Sequence, residues 1–150
     1  TLGGEMNESL LEEVSEYAFA RLEEFGGDIE RLPLHASVLV IVYSARGIID
    51  NGGLEYFFES NFPSDPPYSF FTDAYLQIGA FDAANCIKSA AAILPFPDPH
   101  MHQQLRRDFL AGLNSSDKFT QLSDKICGST AVWTCLSEYA ERFRTDIIAA

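Results

Sequence analysis

Apolar residues recur every three or four positions along most of the chain, the spacing of α-helices that each bury one face. Leu10, Val14, Tyr17, Ala18, Leu22 and Phe25 form the first such stripe, and Gly26 and Gly27 stand where it should stop. Leu34 to Ile49 follows, with Pro33 suited to a first helical turn and Asp50, Asn51, Gly52 and Gly53 as its terminator. The β-branched centre, Val38 to Tyr43, also suits a strand. No other segment offers that strand a partner, so a buried helix is predicted. Leu54 to Glu59 reads as a short aromatic helix, and the prolines between Asn61 and Pro67 impose a loop.

Ser69 to Ile78 and Phe81 to Leu94 read as a helical pair broken near Gly79. After the turn Pro95 to Pro99, Asp98 is placed to cap a helix from His100 to about Leu113, with Pro99 at its first position. Asn114 to Ser116 is a break and Asp117 to Cys127 the next helix. Ser129 or Thr130 then caps a helix whose stripe is Trp133, Leu136, Ala140, Phe143 and Ile147. The expectation is an all-α fold, one compact domain over residues 1–150 with about seven helices. A chain of this length can bury one sizeable core. Phe57, Phe58, Phe62, Phe70 and Phe71 are expected to fill it. Met6 directly precedes the cap-like Asn7, so residues 1–5 are expected to be an appended remnant.

Charge narrows the function. Acidic residues number 22 against 10 basic, a net of −12, which argues against direct nucleic-acid binding and against adsorption to anionic membranes. The longest apolar run is far below the ~20 residues of a bilayer span, and no signal sequence is visible, so a cytoplasmic protein is expected. Cys86, Cys127 and Cys135 are odd in number and lack metal-type spacing, which predicts reduced, mostly buried thiols.

Candidate chemistry is sparse. His100 and His102 lie two residues apart and so point to different faces of their helix, poor geometry for a shared metal even with Asp98 nearby. Asn51-Gly52-Gly53 could line an anion at a helix start, yet no Lys, Ser or Thr follows, and a helix stop followed by a new start explains both glycines. Glu55 and Glu59, one turn apart, could pair as acid and base, but no histidine or second acidic cluster stands beside them in sequence, and they read as a solvated face. No catalytic residue, cofactor or metal is predicted.

The distribution of the acids says more. Residues 1–30 hold Glu5, Glu8, Glu12, Glu13, Glu16, Glu23, Glu24, Asp28 and Glu30 against Arg21 alone, a net of −8, so the other 120 residues share −4. On a helical wheel Glu5, Glu8, Glu12, Glu16 and Glu23 gather opposite the apolar stripe. Seven carboxylates from Glu5 to Glu24 span ~28 Å, a length over which one strand of B-DNA carries about eight phosphates. Asp50, Glu55, Glu59 and Asp65 are candidates for a second row. A polar face is the ordinary requirement of any amphipathic helix, but one that only needs solubility usually mixes signs to gain i to i+4 pairs. A basic partner would relieve the like-charge repulsion.

The run Asn51-Gly52-Gly53-Leu54-Glu55-Tyr56-Phe57-Phe58 through Asn61, with Ala74, Ile78-Gly79-Ala80 and Ala91-Ala92-Ile93-Leu94-Pro95, resembles the DNA mimic protein 19 family, a bacterial family, from about Leu34 to Leu113. The resemblance implies an all-α fold and an acidic protein that occupies the DNA-binding surface of a basic protein such as a transcription regulator. Asn51, Gly52, Gly53 and Gly79 are packing and turn residues of that motif, and it assigns no acidic contact. The Pro63 to Pro67 loop and Leu54, where an aromatic is expected, depart from the pattern. The leading expectation is therefore a non-catalytic interaction protein for a basic DNA-binding partner, with Glu5, Glu8, Glu12, Glu13, Glu16, Glu23, Glu24, Asp28, Glu55 and Glu59 as its surface. The alternatives are an immunity-type inhibitor of a toxin nuclease and an enzyme or metal site around Asp98, His100 and His102. No oligomeric state follows from the pattern.

Overall fold

The computed structural model describes residues 2–149, with side chains from Ser9 onward. Among them the regular structure is entirely helical: eight α-helices and two single-turn 3-10 helices. None of these helices is long and apolar enough to cross a membrane.

Helix α1 (Leu2–Glu24) lies across α7, α2 and α8 and buries Leu11, Val14, Ser15 and Ala18. Leu11 rather than Leu10 is the inward residue, which turns the stripe slightly from the one expected. Gly26 and Gly27 end the helix with φ of 68° and 82°, and their amides take the carbonyls of Glu23 and Leu22.

Helix α2 (Leu34–Glu59) is the spine, packed by α1, α3, α5, α6, α7 and α8. Neighbours on all sides explain why the consecutive residues Val38, Leu39, Val40, Ile41 and Val42 are all buried: a helix apolar all round belongs inside. The strand-like composition is thus a consequence of full burial. Pro33 precedes the helix as its cap, in extended conformation, rather than occupying the first turn. The two helices expected here follow one another within this span, and the break between them falls where the sequence places it, at Gly52 (φ −148°, ψ 17°) and Gly53 (φ 71°, ψ −172°). Gly53 occupies a region essentially restricted to glycine.

Helices α3 (Ser69–Gln77) and α4 (Phe81–Ile93) pack as a pair, turned by Gly79 at φ 83°. Next comes the clearest departure from expectation. Asp98 adopts φ 47° and makes no side-chain cap bond, Pro99–Met101 is a 3-10 turn, and α5 (Gln103–Ala111) starts three residues late. The Pro99 carbonyl, which an α-helix would direct at Gln103, instead accepts from the His102 amide and from Arg106. Helices α6 (Lys118–Ile126), α7 (Thr130–Arg142) and α8 (Arg144–Ala149) complete the chain. Ser129 is the α7 cap, accepting from Val132 N at 3.3 Å.

Phe57, Phe58, Tyr68 and Phe71 are buried with Phe62 and Phe70 half-buried beside them, so the aromatics do fill the core. Cys86 is buried as expected, but Cys127 is exposed: it ends α6, and its thiol donates to the Ile49 carbonyl at 3.3 Å.

Among the described residues Arg106 is the one fully buried charge. Its Nε donates to Phe58 O (2.7 Å), one terminal nitrogen to Pro99 O (2.7 Å), and the other to Ser60 O (3.3 Å) and Asn61 Oδ1 (2.8 Å). Phe58 and Ser60 carry carbonyls from the C-terminal end of α2, where partners are missing and the helix dipole is negative. A planar five-donor guanidinium matches that set of acceptors.

Candidate functional site

The outward face of α1 carries the densest charge. Glu12, Glu13, Glu16, Glu23, Glu24 and Asp28 are all exposed, while the side chains of Glu5 and Glu8 lie outside the described residues. These acids are not equivalent. Glu13 pairs with Arg144 at 2.9 Å, Glu24 with Arg21 at 3.6 Å, and Asp28 takes the Glu30 amide to open the turn after the helix. Among the described residues Glu12, Glu16 and Glu23 form no ion pair. They stand on one side of α1, spread over about 16 Å of helix axis, where one DNA strand would present about five phosphates.

Beside this row runs an open groove of about 590 Å³, walled by Glu12, Glu16 and Glu23 and floored by Ser15 and Phe19 of α1 with Tyr43 of α2. The two rings meet edge to face at 5.7 Å, and Tyr43 also approaches Trp133 at 6.5 Å. Ser15 is only 3% exposed, and its hydroxyl has no hydrogen-bond partner in the protein.

Many of the chain's cations are drawn into its own contacts. Arg46 lies 3.9 Å above the Trp133 ring and 3.2 Å from Asp50, Arg31 covers Phe25, and Arg106 is buried. With Arg144 and Arg21 taken by Glu13 and Glu24, Glu12, Glu16 and Glu23 are left without an ion pair among the described residues.

The other candidate acids lie elsewhere. Glu55 is half-buried and accepts from Ser123 Oγ at 2.6 Å, and the same hydroxyl accepts from Leu54 N at 2.8 Å, so Glu55 braces the kink rather than forming a solvated face. Gly53 permits this approach, because a Cβ there would sit 2.5 Å from both Ser123 Oγ and Glu55 Oε2. Glu59 is exposed beyond the kink, Asp65 is exposed in the proline-rich loop, and Asp50 is engaged by Arg46 and by the Gly128 amide. Asn51 and Gly52 form the exposed approach to the kink.

Asp98, His100 and His102 do not converge on a common point: His100 meets the Tyr68 ring edge-on and His102 meets Phe96. Among the described residues no three metal-ligating side chains come together.

Sequence reasoning missed the inward face of the groove and the role of Arg106. A serine within an otherwise apolar stripe, Leu11-Val14-Ser15-Ala18, is the signal that could have exposed the first. An arginine between Leu105 and Phe109 offered no comparable signal, because its acceptors come from distant turns.

An acidic, all-helical frame kinked at a double glycine is the class of protein these features define. The family model described as DMP19-like protein matches residues 30–143, and the chain belongs to that family. Neither a curated protein nor a solved structure gives a match.

Proposed function

We propose that this chain is a non-catalytic interaction protein that competes with DNA for the positively charged surface of a DNA-binding protein. One observation carries the reading: among the described residues Glu12, Glu16 and Glu23 stand exposed and without an ion pair on a single helix face, while Arg21 and Arg144 pair with other acids of α1 and Arg31, Arg46 and Arg106 are engaged elsewhere. Membership of the DMP19-like family is consistent with such a role. Surface carboxylates of this kind steer a basic partner and make association sensitive to salt.

The test uses purified helix-turn-helix regulators from the same genome, each loaded with a fluorescent operator duplex. At low salt the chain is expected to displace duplex from at least one of them, with displacement weakening as salt rises. The triple variant Glu12→Gln, Glu16→Gln, Glu23→Gln is expected to lose about tenfold or more in apparent affinity, roughly the sum of three surface contacts of modest strength. Failure to displace duplex from any regulator at low salt overturns the reading.

A further inference from the structure

Apolar surface is left uncovered where α3 turns into α4. Phe81 is 66% exposed, more than any other large apolar side chain among the described residues, and Leu76 is 46% exposed. Both border the same two grooves. The first, about 400 Å³, runs between α3 and α4 over Ala84 and Ala91, and each wall carries one charge, Asp73 on α3 and Lys88 on α4. Among the described residues neither forms an ion pair, so acid and base border one groove without meeting. The second groove lies between the α3–α4 turn and α7 and is likewise balanced, by Glu138 and Arg142. The grooves on both sides of Phe81 are thus neutral in a chain of net charge −12. A contiguous apolar patch with a polar rim marks an interaction surface, whereas a single exposed side chain does not.

We infer that this face is where two copies of the chain pair, about a two-fold axis that sets α3 of each against α4 of the other. A two-fold contact is self-complementary: where residue i meets j, j meets i. Asp73 and Lys88 satisfy that condition, because the pairing brings the acid of each copy to the base of the other and joins charges that are separate in the single chain. Phe81 satisfies it too, as a projecting knob beside a groove whose apolar floor receives the knob of the other copy. Net charge selects the same face. Two chains of −12 repel over most of their surface and approach most easily where charge is balanced, which the α1 groove with its three carboxylates is not.

The contact is small. Helix α4 has 13 residues, about 20 Å, and two helices side by side are about 20 Å across, so each copy contributes a face of roughly 400 Å². The total of roughly 800 Å² places the pair among weak, reversible interfaces, with a Kd on the order of 100 µM. Helix α1 packs on α7, α2 and α8 and is not used, so the dimer carries two acidic faces, equal in number to the DNA-reading elements of a dimeric regulator. The pairing itself does not depend on the proposed function.

Sedimentation equilibrium of the full chain, from about 10 to 500 µM, tests it. A monomer–dimer equilibrium is expected that strengthens from about 50 to 500 mM salt as mutual repulsion is screened, the opposite of the salt dependence expected for a basic partner on α1. Phe81→Ser, at a side chain already exposed, is expected to keep the parent melting temperature and lose the dimer. Asp73→Lys and Lys88→Asp should each be monomeric alone, because like charges then oppose, yet form a heterodimer when mixed in equal amounts, where each altered charge meets its opposite. A parent chain monomeric at every concentration and salt, a dimer that Phe81→Ser leaves intact, or a mixture of the charge variants that stays monomeric overturns the pairing. Each of those results leaves the acidic face of α1 to be judged by its own displacement assay.

Discussion

Replacing Arg106 by methionine keeps an unbranched apolar stem and deletes the donors, so it isolates what the guanidinium contributes. The carbonyls of Phe58 and Ser60 and the Asn61 side chain lose the guanidinium, and the Pro99 carbonyl keeps only the His102 amide. Hydrogen bonds to a charged donor contribute ~1.5–3 kcal/mol each, and a buried carbonyl left unsatisfied costs ~1–3 kcal/mol. Those gains are offset by the desolvation of a guanidinium that has no carboxylate partner among the described residues. Water can also reach the partly buried acceptors after the change, which leaves a net loss of about 3–5 kcal/mol. Against a total stability of roughly 5–15 kcal/mol that is a large fraction, and for a chain of this size it corresponds to a fall in Tm of roughly 10 °C. Thermal unfolding followed by circular dichroism reads the effect. Arg106→Lys should fall between parent and methionine variant, because one ammonium cannot bridge acceptors spread over the end of α2, the following loop and the Pro99 turn. A methionine variant melting within about 2 °C of the parent would refute the assignment, since desolvation would then cancel the bonds.

Two further predictions concern glycines and tyrosines. Gly53→Ala should destabilise by more than Gly79→Ala: both have positive φ, costing about 1–2 kcal/mol for a Cβ, but at Gly53 the methyl also meets Ser123 and Glu55 at 2.5 Å, whereas at Gly79 it meets nothing within 4 Å. Urea unfolding of the two variants measures the order, and equal losses would refute the steric role of the kink. Burial pushes Tyr68 and Tyr139 up to about 12 and Tyr75 higher still, with Asp50 adding to the effect at Tyr75. A folded-state value above the unfolded one gives stability that is complete below the unfolded value near pH 10 and lost as pH rises toward 12. Helicity and tyrosinate absorbance should therefore change together across that window. Tyrosinate forming near pH 10 at all six tyrosines, with helicity intact, would contradict it.

Helices were legible in the sequence wherever one face is polar, as in α1 and α7, and at the glycine stops 26–27, 52–53 and 79. The centre of α2 was ambiguous because burial from every side erases periodicity. The start of α5 was misplaced for a different reason. Asp98-Pro99 has the composition of a cap, but Arg106 recruits the Pro99 carbonyl that a helix beginning there would use, a competition visible only in three dimensions. The acidic face of α1 was likewise evident as a count. Which acids remain unpaired was not, because Arg144, the partner of Glu13, stands 131 residues away.

The matched family segment and the acidic face occupy different parts of the chain. Residues 30–143 contain the kink at Gly52 and Gly53, the turn at Gly79 and the Arg106 network, all of which build the frame. Helix α1, with Glu12, Glu16 and Glu23, ends before that segment begins. Within the matched segment the acids at the kink serve structure: Glu55 braces Ser123, and Asp50 holds Arg46 and the Gly128 amide. Family membership and the charge of α1 are therefore independent grounds for the proposed role. They meet physically at one place, because the inward edge of α1 packs on α2 and Tyr43 of that spine forms the floor under the α1 carboxylates. Substitutions on the outer face of α1 should consequently alter partner affinity with little effect on folding, whereas substitutions at Leu11, Val14 or Ala18 should affect both, since those side chains are fully buried against the frame.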